Sequence, residues 1–334
     1  MEERNELTQD GAAAIPNHNN KFNFKNFVSK FGALFGLILL SIILAILSPS
    51  FLKVDNLMNI ARQSSINALL SIGMLLPILT AGIDLSVGSI LAISIVLTGV
   101  VSVTWGMSPI IGIIVCLLVG ALAGLVNGLL LTKLRLPHPF ISTLGTMNVF
   151  RGLALIITGA SPIFGFAYII NFTGQADIGF IPVSFILVIV VCIIFHIFLT
   201  RTATGRYIYA IGGNKEAARL SGIPVDRVLI KVYTISGLMA GLGGLVLIGR
   251  TNAASPIAGL TYELDAIAAV IIGGASFFGG VGTVWGTLIG AMIIAVLRNG
   301  LNLLGTSTDV QTVVIGIVII LAVFIDVLRR KSKT

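Results

Sequence analysis

The chain has 334 residues, 56% of them hydrophobic and only 10% charged, with a net charge of +8. Soluble domains average about 25% charged residues, so a single large core with a solvated surface is excluded. Apolar runs recur that match the ~20 helical residues needed to cross a hydrocarbon core, whereas barrel strands would be ~10 residues long with alternating polarity.

In chain order, residues 1–30 read as a solvated cytoplasmic tail, acidic at Glu2 and Glu3 and then rich in Gly, Pro and Asn. They lack the basic start running straight into an apolar stretch that marks a signal peptide. Ten spans follow, at about 31–48, 66–81, 87–105, 109–132, 139–159, 183–200, 229–249, 264–279, 283–304 and 310–327. The expected fold is therefore all-α: a polytopic membrane domain over 31–327, closed by a basic tail at 328–334. The second, third and eighth spans carry glycine and polar residues at their ends, so one of them can be broken or re-entrant.

Gly82 and Asp84 stand between the second and third spans. Asp84 or Ser86 reads either as a helix cap or, for Asp84, as a carboxylate beside a path for a hydroxylated solute. A similar break, with Glu263 and Asp265, precedes the eighth span. The first break falls on the inner side and the second on the outer side, as an inverted repeat of spans 2–5 and 7–10 would place them. In the fifth span Thr143, Asn148 and Arg151 form one polar stripe. An arginine there costs ~2.5–3.5 kcal/mol on insertion scales and must face protein or water. It belongs either to an interhelical hydrogen-bond cluster or to a path wall.

Gly120-x3-Gly124, Gly241-Leu-Gly-Gly and Gly286-x3-Gly290 read as close helix contacts. Cys116 and Cys192 read as small buried hydrophobes and His196 as a packed side chain. No Cys/His cluster suggests a metal.

With the N-terminus inside, sixteen of the twenty-one Lys and Arg fall in inner segments, as cytoplasmic loops require. An even span number puts both termini in the cytoplasm. Loop 160–182, with no Lys or Arg, covers the outer face. The positive charge is thus a topology signal; no basic patch is interleaved with base-stacking aromatics, so it does not point to nucleic acid.

The chemistry is narrowed by what is missing. There is no TVGYG-like filter or Arg-rich voltage sensor, and no HExxH or GxSxG. The carboxylates Asp84, Glu263, Asp265 and Asp326 lie near span ends and offer little to a proton relay. No GxxxxGK[ST] loop is present to cradle ATP phosphates. The chain is therefore read as a transport subunit with no catalytic residues, cofactor or metal of its own; if it is a pump, the energy enters through another polypeptide.

The longest basic inner loop, 201–228, predicts a two-turn helix at about 215–221. Asn214 is a good N-cap, Glu216 suits the positive end of the first turn, and Gly222 suits a left-handed stop. Pro224 prevents continuation. So short a helix is marginal in water, so something must dock it. Ala217, Ala218 and Leu220 give an apolar surface, and Lys215 and Arg219 a charged edge.

Glu216-Ala217-Ala218 followed by Gly222 resembles the EAAxxxG loop of ABC-importer permeases, without the Ile-x-Leu-Pro that ends that motif. AGIDLSVGSILA (81–92), GRYIYAIGGNKEAARLSGI (205–223), YELDAIAAVIIGG (262–274) and GTLIGAMIIAVLRNGLNLLG (286–305) are similar, in that order, to the ribose-permease-like monosaccharide family of those importers. The resemblance implies a subunit of the bacterial cell membrane that works as a pair, a homodimer here. A cytoplasmic ATPase uses ATP and Mg, and an extracytoplasmic protein delivers the sugar. It makes Asn214, Lys215, Glu216, Ala217, Ala218, Arg219, Leu220 and Gly222 an ATPase-coupling helix. Asp84, Thr143, Asn148, Arg151, Glu263 and Asp265 are path candidates. Ribose is the first substrate; xylose, galactose, allose, inositol and a furanosyl signalling molecule stay open. The alternatives are an ion-coupled secondary transporter and a permease for a nucleoside or branched-chain amino acid.

Overall fold

A computed structural model describes residues 24–331. Residues 1–32 and 33–334 form separate units, and the account below concerns the second. Most of the tail expected at 1–30 lies outside the described residues; the helix that follows it begins at Phe24. Of the basic tail at 328–334, only backbone as far as Lys331 is described, and it is helical.

Thirteen helices are described. Ten correspond to the expected spans: α1 (Phe24–Leu47), α2 (Val54–Leu79), α3 (Val87–Gly99), α4 (Pro109–Thr132), α5 (Pro139–Thr158), α7 (Val183–Arg201), α10 (Val225–Thr251), α11 (Tyr262–Ile272), α12 (Val284–Leu303) and α13 (Thr308–Lys331). A π-helical turn, Val100–Thr104, extends α3. Three short helices complete the set: α6 (Tyr168–Gln175) after α5, and α8 (Ala203–Gly213) and α9 (Lys215–Leu220) between α7 and α10. Two-residue strands pair Ile163–Phe164 with Ala253–Ala254 and Asp177–Ile178 with Ile181–Pro182, both antiparallel.

Local chemistry sets the boundaries. Pro109 and Pro139 start α4 and α5, where a missing N–H costs nothing. Thr202 and Thr283 cap α8 and α12 by accepting from Gly205 N and Gly286 N. Among the described residues, six helical stretches are long and apolar enough to cross a membrane. About three quarters of α10 and of α3 with its π-turn is buried, against about a quarter of α4, α5 and α7. The first group is central; the second turns large apolar side chains such as Leu118, Ile156 and Ile194 outward, toward lipid.

Two expected spans are corrected. The second begins twelve residues earlier than expected, at Val54, because its polar first half is satisfied by neighbours within the protein. The eighth is a half-helix. It stops at Ile272, since Gly273 and Gly274 (φ +93°) turn the chain, and its 11 residues reach only ~16 Å.

The packing pairs are those of a two-fold repeat. α4 lies on α10 as α12 lies on α2, α3 on α10 as α11 on α2, and α3 on α5 as α11 on α13. The first helices of the two halves, α2 and α10, run antiparallel: Ile66 lies by Gly243, and Gly73 by Met239. The repeat is thus inverted, as the positions of the breaks imply.

The expected glycine contacts form. A Cβ on Gly124 would overlap the Tyr233 carbonyl of α10, and one on Gly120 would come within 2.5 Å of Gly237 O. On the other half of the repeat, Gly286 and Gly290 press on the Gly273 and Ala269 carbonyls. Backbone is met directly, so no side chain can move aside. Gly124→Val is expected to destabilise the fold by about 3 kcal/mol, the upper end for overpacking, seen as an earlier melting transition of the purified protein in detergent.

Cys116 and Cys192 are buried, as expected. His196, expected to be packed, is instead on the exposed face of α7 beside Trp285, with ring centroids 6.3 Å apart.

Candidate functional site

Two regions concentrate polar chemistry. The first is α9, at the end that carries the basic loops, which the positive-inside rule makes the inner end. Asn214, extended at φ −159°, accepts from Glu216 N at 3.0 Å and Ala217 N at 2.9 Å. Gly222, at φ +81°, donates its N–H to Arg219 O at 3.0 Å, and Ile223 N donates to Ala218 O at 3.1 Å. These close both ends of a six-residue helix, one residue shorter than expected. Arg219 lies 3.5 Å from Glu216 and 3.8 Å from Asp226; with all three exposed, such pairs are worth ~0–1 kcal/mol. The apolar surface divides. Ala218 faces the protein, 5% exposed, while Leu220 stands out at 83%.

The second region lies between the two breaks. α2 ends where Thr80 N and Gly82 N both turn onto Pro77 O, with Ala81 left-handed at φ 59°. Asp84 follows, fully buried. Its carboxylate accepts from Ser86 N at 3.1 Å, from Ser86 Oγ, and from Ser236 Oγ of α10 at 2.9 Å. Asn127 of α4 donates to Ser86 Oγ at 2.7 Å and accepts from Thr146 of α5 at 2.6 Å. Thr143 of α5 donates to Ile83 O at 3.3 Å. One network therefore ties this break to α4, α5 and α10. The Tyr233 hydroxyl beside Gly82 is buried without a hydrogen-bond partner.

At the other break, Arg151 donates from one nitrogen to Pro256 O and Ala258 O, at 2.7 Å each. This holds the segment entering α11, whose Thr261 is left-handed at φ 68°. A β-branched residue there is a strained outlier. Gly259 touches Gly88 backbone to backbone, and the Glu263 carboxylate lies against Gly88. The starts of α3 and α11 thus meet. Two partly positive helix ends would repel; Asp84 and Glu263 supply the compensating negative charge. Two residues on, buried Asp265 is held by Arg298 of α12 in two bonds of 2.8 and 2.9 Å. That pair borders a cavity of ≈150 Å³ shared with Gln63, Asn67, Arg250 and Tyr262.

A family model described as the permease component of branched-chain amino acid transport systems matches residues 56–323. The chain belongs to that permease family. Relatives of this permease include the ribose import permease protein of Bacillus subtilis (strain 168), 47% identical over 93% of this chain and 96% of the relative. The ribose import permease protein of Escherichia coli (strain K12) is 44% identical over 88% and 92%. The D-allose transport system permease protein of the same strain is 44% identical over 93% and 95%. No solved structure matches the chain. The permease is a multi-pass membrane protein.

Of the expected path residues, Asp84 and Thr143 join the buried network, while Arg151 holds the segment entering α11 and Glu263 lies at its start against Gly88. Asp265 lies two residues further along, paired with Arg298. Asn148 stands apart: it is exposed and bonds only to Leu144 O, at 3.0 Å. Five residues from Thr143 is about 140° round a helix, so the stripe is not one face. Ser86 was expected only as a cap, and Asn127, Ser236 and Tyr233 were not singled out. The one signal available was that Asn127 is the lone amide in the apolar run of α4.

Proposed function

We propose that the chain is the membrane-spanning subunit of an ATP-driven importer that passes a monosaccharide, ribose first, delivered by an extracytoplasmic binding protein. Two copies form the path, and a separate cytoplasmic ATPase, using ATP and Mg, drives it. The observation that carries this reading is α9. A two-turn helix, marginal alone, is capped at both ends and holds Leu220 out into water at the inner end. A lone exposed leucine is ordinary; on this helix it fits a cleft in a partner. The named sugar-import relatives support the substrate class.

In this reading Asn214, Lys215, Glu216, Ala217, Arg219, Leu220 and Gly222 take up force from the ATPase, and Ala218 passes it to the bundle. Arg151 and Glu263 shape the entrance where the starts of α3 and α11 meet. Asp84, Thr143 and Asp265 hold the helices that line it.

The test is uptake of labelled ribose by cells lacking this gene, restored by the chain expressed with its ATPase and binding protein. Excess unlabelled ribose should suppress the label, and allose should do so less. Suppression by leucine or a nucleoside, with no effect of either sugar, would overturn the substrate assignment.

A further inference from the structure

The inner end of α2 is gripped by two other segments with no side chain between them. Gly212, at the end of α8, lies so close to Leu79 that a Cβ would overlap the Leu79 carbonyl oxygen and the Gly280 nitrogen. Gly280, in the α11–α12 loop, donates its N–H to that same Leu79 oxygen at 3.0 Å. A Cβ on Gly279 would come within 2.9 Å of both Ala81 N and Gly212 O. The Tyr209 hydroxyl of α8 donates to Gly282 O at 2.9 Å, fixing α8 to the same loop. Three segments from distant parts of the chain therefore meet backbone to backbone.

Each leads somewhere specific. α8 continues through Asn214 into α9. The end of α2 continues through Gly82 to Asp84 and the start of α3. The α11–α12 loop joins the far end of α11, whose start touches α3 at Gly88 and Gly259. Flexible side chains absorb displacement by changing rotamer; close-packed backbone transmits it, because protein interiors are barely compressible.

We infer that the Leu79–Gly212–Gly280 clasp is the joint through which movement of α8 and α9 reaches both α3 and α11, making Gly212 and Tyr209 positioning residues for transport. The inference rests on the importer reading above. It adds that force enters α3 and α11 together, at one contact, instead of along α10 alone.

The test measures sugar transported per ATP hydrolysed by the full complex in liposomes. The wild-type complex checks the reading itself: without ATP-dependent transport, the importer assignment fails and not the clasp. Gly212→Ala adds one methyl at the clasp. Alanine is the better helix former, so α8 is not weakened. The variant should assemble with the ATPase and hydrolyse ATP, with transport per ATP falling roughly tenfold, within the range known for coupling residues. Tyr209→Phe removes only the bond to Gly282 and adds no bulk, so it decides the matter if Gly212→Ala fails to assemble. It should lower the ratio about threefold. Wild-type ratios in Tyr209→Phe, and in Gly212→Ala where that assembles, would overturn the inference.

Discussion

Gly222→Pro is expected to abolish uptake while leaving the subunit in the membrane. Proline fixes φ near −65°, whereas Gly222 sits at +81°. The substitution also removes the N–H that donates to Arg219 O, and it pushes Ser221, at φ −78° and ψ 8°, out of its present conformation. Together these cost about 3 kcal/mol or more, far beyond what a six-residue helix contributes alone, so α9 loses its shape. The membrane helices make none of the lost contacts, so insertion should survive. Gly222→Asn is the control. Asparagine tolerates the left-handed region and keeps its N–H, so most uptake should return. Glu216→Lys, which places a positive charge at the positive end of α9 and loses the Arg219 contact, should uncouple more mildly. Unchanged uptake in Gly222→Pro would remove α9 from the mechanism.

Asp84→Ala is expected to cost about 2–4 kcal/mol of stability, because it strands the Ser86 N–H and leaves the Ser86 and Ser236 hydroxyl donors short of an acceptor. The loss should appear as an earlier melting transition in detergent, together with loss of uptake. Asp84→Asn separates charge from hydrogen bonding. It keeps one acceptor oxygen for Ser86 N, so most of the stability should persist; a collapse equal to that of Asp84→Ala would assign the effect to the negative charge facing the start of α3. Wild-type melting and uptake in Asp84→Ala would contradict the central place of this network.

What could be read in the chain was local. The boundaries of α9 followed from Asn214 and Gly222, because a cap bonds to residues two or three positions away. Most spans followed from composition, since lipid-facing helices such as α4 and α7 must be apolar nearly throughout. The polar half of α2 was hidden for the opposite reason. Asn56 exchanges hydrogen bonds of 3.0 and 2.8 Å with Asn299, Ser65 turns onto Ala61 O at 2.7 Å, and Arg62 pairs with Asp177. Hydropathy counts these residues as polar, although their partners lie within the protein. The end of the eighth span was misplaced because apolar character continues through Ala275, Phe277 and Phe278 after the backbone has turned at Gly273. In the Asp84 network, Asn127 and Ser236 lie 43 and 152 residues away, joined by helix packing that no spacing announces. Arg151 was read as facing protein or water; its acceptors are two loop carbonyls, which carry no side-chain signature.

The most direct measurement is solute accumulation in liposomes. The purified permease would be reconstituted with its ATPase inside and its binding protein and labelled ribose outside, with and without internal ATP. Concentrative uptake should require ATP and the ATPase, and should vanish with Leu220→Asp on α9. Accumulation by the permease alone, driven by a proton or sodium gradient with no ATPase present, would contradict the account.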